Sequence, residues 1–251
     1  MKIVLAVFLA ALGPGASLFG TIVEKPVEYK SGDVICQAWQ AYDNVTGRRP
    51  GVLIPMPNGG TVIKDHWKDV AQKLAAVGYN VLVANLSDKE KPYAYRRPAP
   101  MSRIKDALKT LVTDPRTDAS KIAVLGYGNQ NGQTAIELAR SGADLKAVVC
   151  FHSDLSSTAP EDGKKIKAKI LVLLGTDDRY VSAKKIGAFE EELKANSIGY
   201  KIIRYPWAMH NFTIPDSVGE NDRSTGSAYD ADADKKSWTQ MKLFLAQAFG
   251  R

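Results

Sequence analysis

Two apolar runs separated by an amphipathic stretch constrain the fold of this chain more than any other feature. The runs GVLIPM (51–56) and NVLVANL (80–86) have the unbroken hydrophobicity of strands that are covered on both faces. Between them, KDHWKDVAQKLAAVG (64–78) has helical spacing and stops at Gly78. One face of this predicted helix carries four apolar residues, Trp67, Val70, Leu74 and Val77. A strand, a helix and a second strand in this order predict a βαβ unit.

The same alternation continues to the end of the chain. The sequence predicts a helix at 101–114, a strand at 121–126, a helix at 132–142, strands at 146–152 and 169–175, a helix at 183–197, a strand at 200–206 and a helix at 232–250. The last helix places Trp238, Met241, Leu245 and Phe249 on its inner face.

An antiparallel hairpin is predicted before this alternation begins. Segments 21–29 and 33–43 alternate apolar and polar residues around the turn KSGD. We therefore predict a single α/β domain over residues 21–251. Its sheet is mostly parallel and twisted, with the N-terminal hairpin at one edge and helices on both faces.

The first twenty residues have the composition of a secretory signal. One Lys precedes an apolar run from Ile3 to Leu12, and the helix-breaking sequence Gly-Pro-Gly follows at 13–15. This run is shorter than the roughly 20 apolar residues that a membrane span requires, and no later segment approaches that length. We predict that residues 1–20 are a signal peptide and that the mature chain is secreted or periplasmic, without a membrane span. An uncleaved anchor is the alternative.

Charge and cysteine content narrow the possible partners. The net charge is +7, but the basic residues are interleaved with 27 acidic ones, so no nucleic-acid partner is predicted. Cys36 and Cys150 lie in apolar runs and are predicted to be free buried side chains, although export would permit a disulfide. No Cys and His spacing indicates a metal, and no cofactor is predicted. The sequence does not indicate an oligomeric state.

Several segments near the predicted strand ends are similar in order and spacing to the dienelactone hydrolase family of α/β-hydrolase-fold proteins. They are ELARSGADLKAVVCFHS, KAKILVLLGTDDRYVSAKKIGAFEEELK, AMHNFT and GSAYDADADKKSWTQMKLFL. The resemblance covers nearly all of the chain after the signal. It implies hydrolysis of small esters or lactones by a nucleophile, an acid and a His, without a cofactor.

Two members of such a triad match this sequence. The resemblance implies that Asp178, in GTDDRYV, is the acid and that His210, in AMHNF, is the base. Asp177, one position earlier, is the alternative for the acid, and a turn residue that caps the following helix is the structural alternative for Asp178. The order of nucleophile turn, acid and His along the chain is the one expected for this fold.

The nucleophile turn departs from the family pattern. Gly126 and Tyr127 lead directly to Gly128 at the position where a Cys or Ser side chain is expected. Asn129, Gln130 and Asn131 follow before Gly132, which suggests a remodelled loop about one residue longer than the family form. A glycine cannot form an acyl intermediate. Cys150, Ser153, Ser182 and Thr134 are the possible substitutes, each with a weaker structural case.

Two further segments differ from the family. After the first parallel strand, Met56 and Pro57 stand approximately where a His-Glu pair is usual. The segment KEKPYAYRRPAP (89–100) is shorter than the family's usual lid-bearing region, which predicts a more open pocket. One interpretation of Arg96 and Arg97 in this segment is a surface that binds anionic ligands. The alternative is that they belong to a solvated, proline-rich loop.

Two functions follow from these observations. The first is an exported pseudoenzyme that binds a small ester, a lactone or a related ligand, or a partner, in a pocket edged by Met56, Asn129, Gln130, His152, Asp178 and His210. The second is an active hydrolase of small esters or lactones in which Asp178 and His210 activate water or an unrecognised nucleophile.

Overall fold

Among the residues that the structure describes, eight strands form a single mixed sheet. The structure, a computed structural model, describes residues 20–56, 63–88, 100–155, 157, 160–215 and 223–251. The strands are β1 (Ile22–Ser31), β2 (Val34–Asp43), β3 (Arg49–Met56), β4 (Asn80–Asn85), β5 (Thr117–Tyr127), β6 (Ala147–Phe151), β7 (Lys169–Gly175) and β8 (Tyr200–Tyr205). Residues 1–19 of the predicted signal, Pro57, and the predicted loop with Arg96 and Arg97 lie outside the described residues.

Within the same described ranges, five α-helices cover this sheet. They are α1 (Asp65–Ala75), α2 (Met101–Thr113), α3 (Gly128–Arg140), α4 (Ala183–Ala195) and α5 (Ala231–Ala248). The strand order is β1-β2-β4-β3-β5-β6-β7-β8. All pairs from β4 to β8 are parallel, whereas β1 pairs antiparallel with β2, and β2 antiparallel with β4. The predicted α/β fold with an antiparallel N-terminal edge is confirmed.

Each face of the sheet has its own apolar core. Residues of α2, α3 and α4 pack on one face, and residues of α1 and α5 pack on the other. The inner strands are therefore buried on both faces, which explains their uninterrupted apolar sequences. Cys36 and Cys150 are both buried and free. None of the helices in the described ranges combines the length and the apolar character needed to cross a bilayer.

The predicted apolar stripe of α1 is wrong at one residue. Trp67, Val70 and Leu74 are buried, but Val77 is 42% exposed. The helix ends at Ala75, so Val77 lies in the turn before Gly78, whose φ is +88°. Helical spacing therefore no longer determines which way Val77 points. The left-handed conformation of Gly78 is the usual glycine signal at a helix end.

Candidate functional site

Asp178 and His210 form a hydrogen-bonded pair beyond the carboxyl ends of β7 and β8. His210 Nδ1 lies 2.9 Å from Asp178 Oδ2. The other carboxylate oxygen, Oδ1, accepts hydrogen bonds from the backbone N–H groups of Tyr180, at 2.8 Å, and Val181, at 3.2 Å. In the neutral form of the imidazole, this contact makes Nδ1 the protonated nitrogen, which leaves Nε2 as an acceptor. The side chain of Asp178 is 1% exposed, so the pair is shielded on the carboxylate side.

The two loops that carry this pair are joined by a close backbone contact. A Cβ on Gly175, the last residue of β7, would lie 2.1 Å from the carbonyl oxygen of Ala208. Only glycine allows the loop after β8 to come this close. Asp177 N–H then donates to the Ala208 carbonyl at 3.0 Å. This contact sets the spacing between Asp178 and His210.

The turn from β5 into α3 presents a backbone without a side chain. Gly128 has a φ of +74°, a conformation that L-amino acids rarely adopt. The turn is tight, because a Cβ on Gly126 would lie 2.5 Å from the Cα of Gly132. A Cβ on Gly132 would in turn lie 2.1 Å from Ser153 Oγ. Both glycines are required for the helix to leave the strand at this angle.

Asn129, Gln130 and Asn131 are helical, so the expected remodelled loop is not present. They form the first turn of α3, which begins at Gly128. Asn129 Oδ1 accepts a hydrogen bond from Asp154 N–H at 2.7 Å, and Asn131 Nδ2 donates to Met56 Sδ at 3.5 Å. These amides tie the start of α3 to the loop after β6 and to the end of β3. The amide side chains beside the turn therefore belong to an ordered helix.

A cleft of about 640 Å³ lies above this turn. Of the residues that the sequence predicts to contact a ligand, Met56, Asn129, Gln130 and His210 line it, together with Gly128. Its volume falls within the usual range for small-molecule sites. Further polar or charged residues that line it are Lys64, Asn131, Tyr180, Asn211, Thr225 and Ser227.

His152 does not line the cleft, so its prediction as a pocket residue is wrong. It is fully buried behind His210, and the two ring centroids are 5.3 Å apart in an edge-to-face arrangement. Its Nε2 lies 2.9 Å from Thr213 Oγ1. Burial, with a smaller contribution from His210, holds the pKa of His152 well below its ordinary value. His152 is therefore a neutral buried side chain that supports His210 from behind.

The four hydroxyl and thiol groups considered as substitute nucleophiles all have other contacts. Ser153 Oγ lies 2.9 Å from the Gly128 carbonyl and 2.7 Å from the Phe151 carbonyl, so its single proton is shared between two backbone acceptors. Thr134 Oγ1 donates to Gln130 O, and Ser182 caps α4. Burial raises the pKa of the Cys150 thiol, which contacts the carbonyl of Gly132. None of these four side chains lines the cleft.

Three of the cleft residues that the sequence did not identify, Tyr180, Asn211 and Ser227, lie next to His210. The ring of Tyr180 lies 4.9 Å from that of His210, and its hydroxyl donates to Thr225 O at 3.1 Å. Asn211 has a φ of +58° and donates from Nδ2 to Ser227 Oγ at 3.2 Å. For Tyr180 and Asn211, the only local signal is their proximity in sequence to Asp178 and His210. Ser227 has no such signal, because it lies 17 residues after His210 in the sequence.

The site contains no cluster that resembles a metal centre. Across the residues that the structure describes, no three His, Cys, Asp or Glu side chains are grouped as metal ligands would be. The functional groups are an acid–imidazole pair, backbone N–H groups at the start of α3 and neutral amides. An α/β sheet with such a pair after its last two strands and a tight strand-to-helix turn at its centre defines the α/β-hydrolase class.

The chain belongs to the dienelactone hydrolase family, whose sequence model matches residues 38–249. A crystal structure of a dienelactone hydrolase-like promiscuous phosphotriesterase from metagenomic libraries is similar at 30% identity. The match covers 92% of this chain and all of that one, with a TM-score of 0.83.

Two further proteins are similar over less of this chain. A dienelactone hydrolase from Anabaena variabilis shares the fold at 20% identity and a TM-score of 0.62, over 82% of this chain and 95% of that one. An uncharacterized protein of Caenorhabditis elegans is 34% identical over 152 residues, which is 59% of this chain and 92% of the relative.

Proposed function

We propose that this member of the dienelactone hydrolase family is an exported pseudoenzyme that binds a small ester, a lactone or a related carbonyl compound without forming a covalent intermediate. The observation that carries the proposal is Gly128. It lies at the strand-to-helix turn with a φ of +74°, the position and conformation in which the family's nucleophile would be mounted. Its side chain is a hydrogen atom. The candidate substitutes Ser153 and Cys150 are buried and bonded to backbone carbonyls.

The cleft offers hydrogen bonds suited to a carbonyl or carboxylate oxygen. Residues 128–131 form the start of α3 and line the cleft, and Tyr127 does not cap them with its side chain. Backbone N–H groups at a helix start favour an oxygen that carries negative charge. His210 and Asn211 line the same cleft. A lactone oxygen placed over Gly128 would occupy the space that a nucleophile side chain fills in an active family member.

One observation favours hydrolysis by water as a second candidate. The hydrogen bond of 2.9 Å between His210 and Asp178 retains the geometry of a general base, and His210 lines the cleft. A base of this kind accelerates hydrolysis by about 10² to 10⁴ even without a nucleophile. The scaffold would then be a slow hydrolase of activated esters.

Turnover and covalent capture separate these two functions. The purified chain would be assayed on a panel of p-nitrophenyl esters, small lactones and a phosphotriester, with His210→Ala as the control. The phosphotriester is included because of the activity that the metagenomic relative's name describes. We expect the wild-type chain to show no more turnover than His210→Ala. We also expect that no substrate leaves a mass adduct on the protein.

Ligand binding would be measured independently by the fluorescence of Trp67, which lines the cleft. Saturable binding of a small lactone without turnover is the expected result. Turnover that disappears in His210→Ala would replace the pseudoenzyme with the water-based hydrolase. Failure of all lactones and esters to bind would contradict both functions.

Export is part of the same proposal and has its own test. It is supported by the apolar run and helix-breaking residues within positions 1–20. Expression of the full chain followed by mass measurement of the exported protein is expected to show cleavage between Ala16 and Gly20. A full-length product that stays inside the cell would exclude this localisation.

A further inference from the structure

A second cavity, which we call the α1/α5 cavity, lies between these two helices. Its volume is about 550 Å³. Tyr127 lines both this cavity and the cleft, whereas His210 lines only the cleft. The lining is rich in aromatic rings, which come from His66, Tyr127, Phe151, Tyr229 and Trp238. Walls of this kind are typical of sites for flat ring compounds.

The hydroxyl of Tyr127 is a buried hydrogen-bond donor. It has no hydrogen-bond partner among the described residues. The ring is held in place by stacking on Phe151, with centroids 4.3 Å apart, and by edge contact with Trp67. Burial raises the pKa of this phenol, and the negative charge of Asp234 raises it further, so the proton remains on the oxygen. A buried donor without an acceptor costs free energy that a ligand acceptor would recover.

Asp234 supplies an acceptor to the same cavity. It lines the cavity from α5 and accepts a hydrogen bond from the hydroxyl of Tyr229 at 3.2 Å. Tyr127 and Asp234 both line the cavity, and the charge of Asp234 contributes to the raised pKa of the Tyr127 phenol. A carboxylate accepts several hydrogen bonds, so capacity remains beyond the one from Tyr229.

The charges around the cavity balance one another. Each helix contributes one acidic and one basic side chain to the lining, Asp69 and Lys73 from α1 and Asp234 and Lys235 from α5. Lys73 is close enough to Asp234 to lower the pKa of its carboxyl, although burial has the larger, opposite effect. Two acidic and two basic side chains give no net preference for a charged molecule. The cavity therefore favours an uncharged ring with one polar group.

We propose that the α1/α5 cavity is a binding site for an uncharged phenolic compound, distinct from the cleft. The hydroxyl of the ligand accepts a hydrogen bond from Tyr127 and donates one to Asp234. Its ring packs between Phe151 and Trp238. This site extends the function beyond the cleft, and its occupancy does not depend on whether the cleft binds or hydrolyses an ester.

Phenol and toluene are matched probes, because they share a ring and differ in the hydroxyl. The full chain, labelled with ¹⁵N, would be titrated with each probe and followed by NMR. Backbone amides of Thr213, Ala231 and Lys235 report on the α1/α5 cavity, whereas those of Gly128 and Asn131 report on the cleft. Phenol is expected to shift the first group with a saturable curve and to bind more tightly than toluene.

Two variants make this test specific. Tyr127→Phe removes only the unpaired hydroxyl, so the fold is retained, and phenol affinity is expected to fall about fivefold while toluene affinity stays unchanged. Ala231 is exposed at the rim of the cavity, so Ala231→Trp is expected to block both probes without altering the core.

Three results would overturn the proposal. The first is a shift by phenol that is confined to the cleft amides or never saturates. The second is equal loss of phenol and toluene binding in Tyr127→Phe, which would mean that the hydroxyl makes no bond to the ligand. The third is unchanged phenol binding in Ala231→Trp, which would place the probe elsewhere.

Discussion

A Cβ on Gly128 would lie 4.0 Å from Oδ1 of Asn211, and among the described residues it would meet nothing closer. The space above the turn is therefore large enough for a side chain that the sequence does not supply. The backbone still has the left-handed φ of +74°. The turn combines the shape needed to present a side chain to the cleft with the one residue that has none.

Restoring a side chain at this turn is expected to restore acylation. Gly128→Cys places a thiol in the cleft that His210 lines, and a brief exposure to p-nitrophenyl acetate should add one acetyl group to it. Gly128→Ala is the matched control, since it imposes the same backbone strain without a thiol. Both variants should lose about 1–2 kcal/mol in the free energy of unfolding, because an L-residue is held at positive φ.

Mass spectrometry after proteolysis locates the acetyl group, and urea unfolding measures the stability. We expect slow release of the acetyl group and little steady-state turnover, since Met56, which lines the cleft with Gly128, provides no acidic group. If the thiol at position 128 is no more reactive than Cys36 and Cys150, the turn does not direct its side chain toward His210.

The structural role of Asp178 can be separated from that of its neighbour Asp177. Asp178→Ala removes the acceptor of two backbone N–H groups and of His210 Nδ1. We expect it to lower the free energy of unfolding by about 2–3 kcal/mol, because these donors are left without their partner. Asp177→Ala should cost less than Asp178→Ala, since the hydrogen bond that Asp177 accepts from Thr176 is exposed. Thermal or urea unfolding of both variants checks this, and equal losses would contradict the assignment of Asp178.

The fold could be predicted from the sequence because each strand carries its own signal. Runs such as 81–84 are apolar throughout, and the sheet covers them on both faces. The positions of Asp178 and His210 also follow from local sequence, since each lies just beyond a strand end. The spacing of Gly126 and Gly132 is also apparent in the sequence. The close packing that requires glycine at these two positions is not.

The rest of the site depends on contacts that no local pattern specifies. Ser227 reaches the cleft through hydrogen bonds to His210 and Asn211, which belong to another loop. His152 was predicted at the pocket edge because it follows a strand. Its φ of +39° and its bond to Thr213 place it in the interior instead. Asn129–Asn131 were predicted as a loop because they stand between Gly128 and Gly132, but they form the first turn of α3, and Asn129 and Asn131 bond to Asp154 and Met56.

The buried arginine at the far end of α3 is expected to stabilise the helix that carries the turn. Arg140 is 1% exposed and pairs with Glu192 of α4 through two hydrogen bonds, at 2.8 and 2.6 Å. Arg140→Met keeps much of the side-chain volume but leaves the carboxylate of Glu192 buried without its cation. We expect a loss of about 3–5 kcal/mol.

A control within the same cluster shows whether burial determines this cost. Glu137 also pairs with Arg140, at 2.8 Å, but its side chain is 31% exposed. Glu137→Gln should therefore cost less than about 1 kcal/mol. Urea unfolding of the two variants at neutral pH measures both values. Similar losses for the two would show that solvent exposure of the partner does not control the strength of the cluster.

The buried imidazole behind the site predicts a loss of stability in mild acid. Burial holds the pKa of His152 well below its ordinary value of about 6.5. As the pH falls below about 6.5, His152 in the unfolded chain binds a proton that the folded state does not, so the unfolded state gains stability. The resulting slope approaches about 1.4 kcal/mol per pH unit and continues down to the folded pKa.

His152→Asn removes this titration and tolerates the positive φ. The free energy of unfolding of the wild type should therefore fall more steeply than that of the variant between about pH 6.5 and about pH 5. Parallel pH profiles, measured by urea unfolding in the same buffers, would show that folding does not lower the pKa of His152.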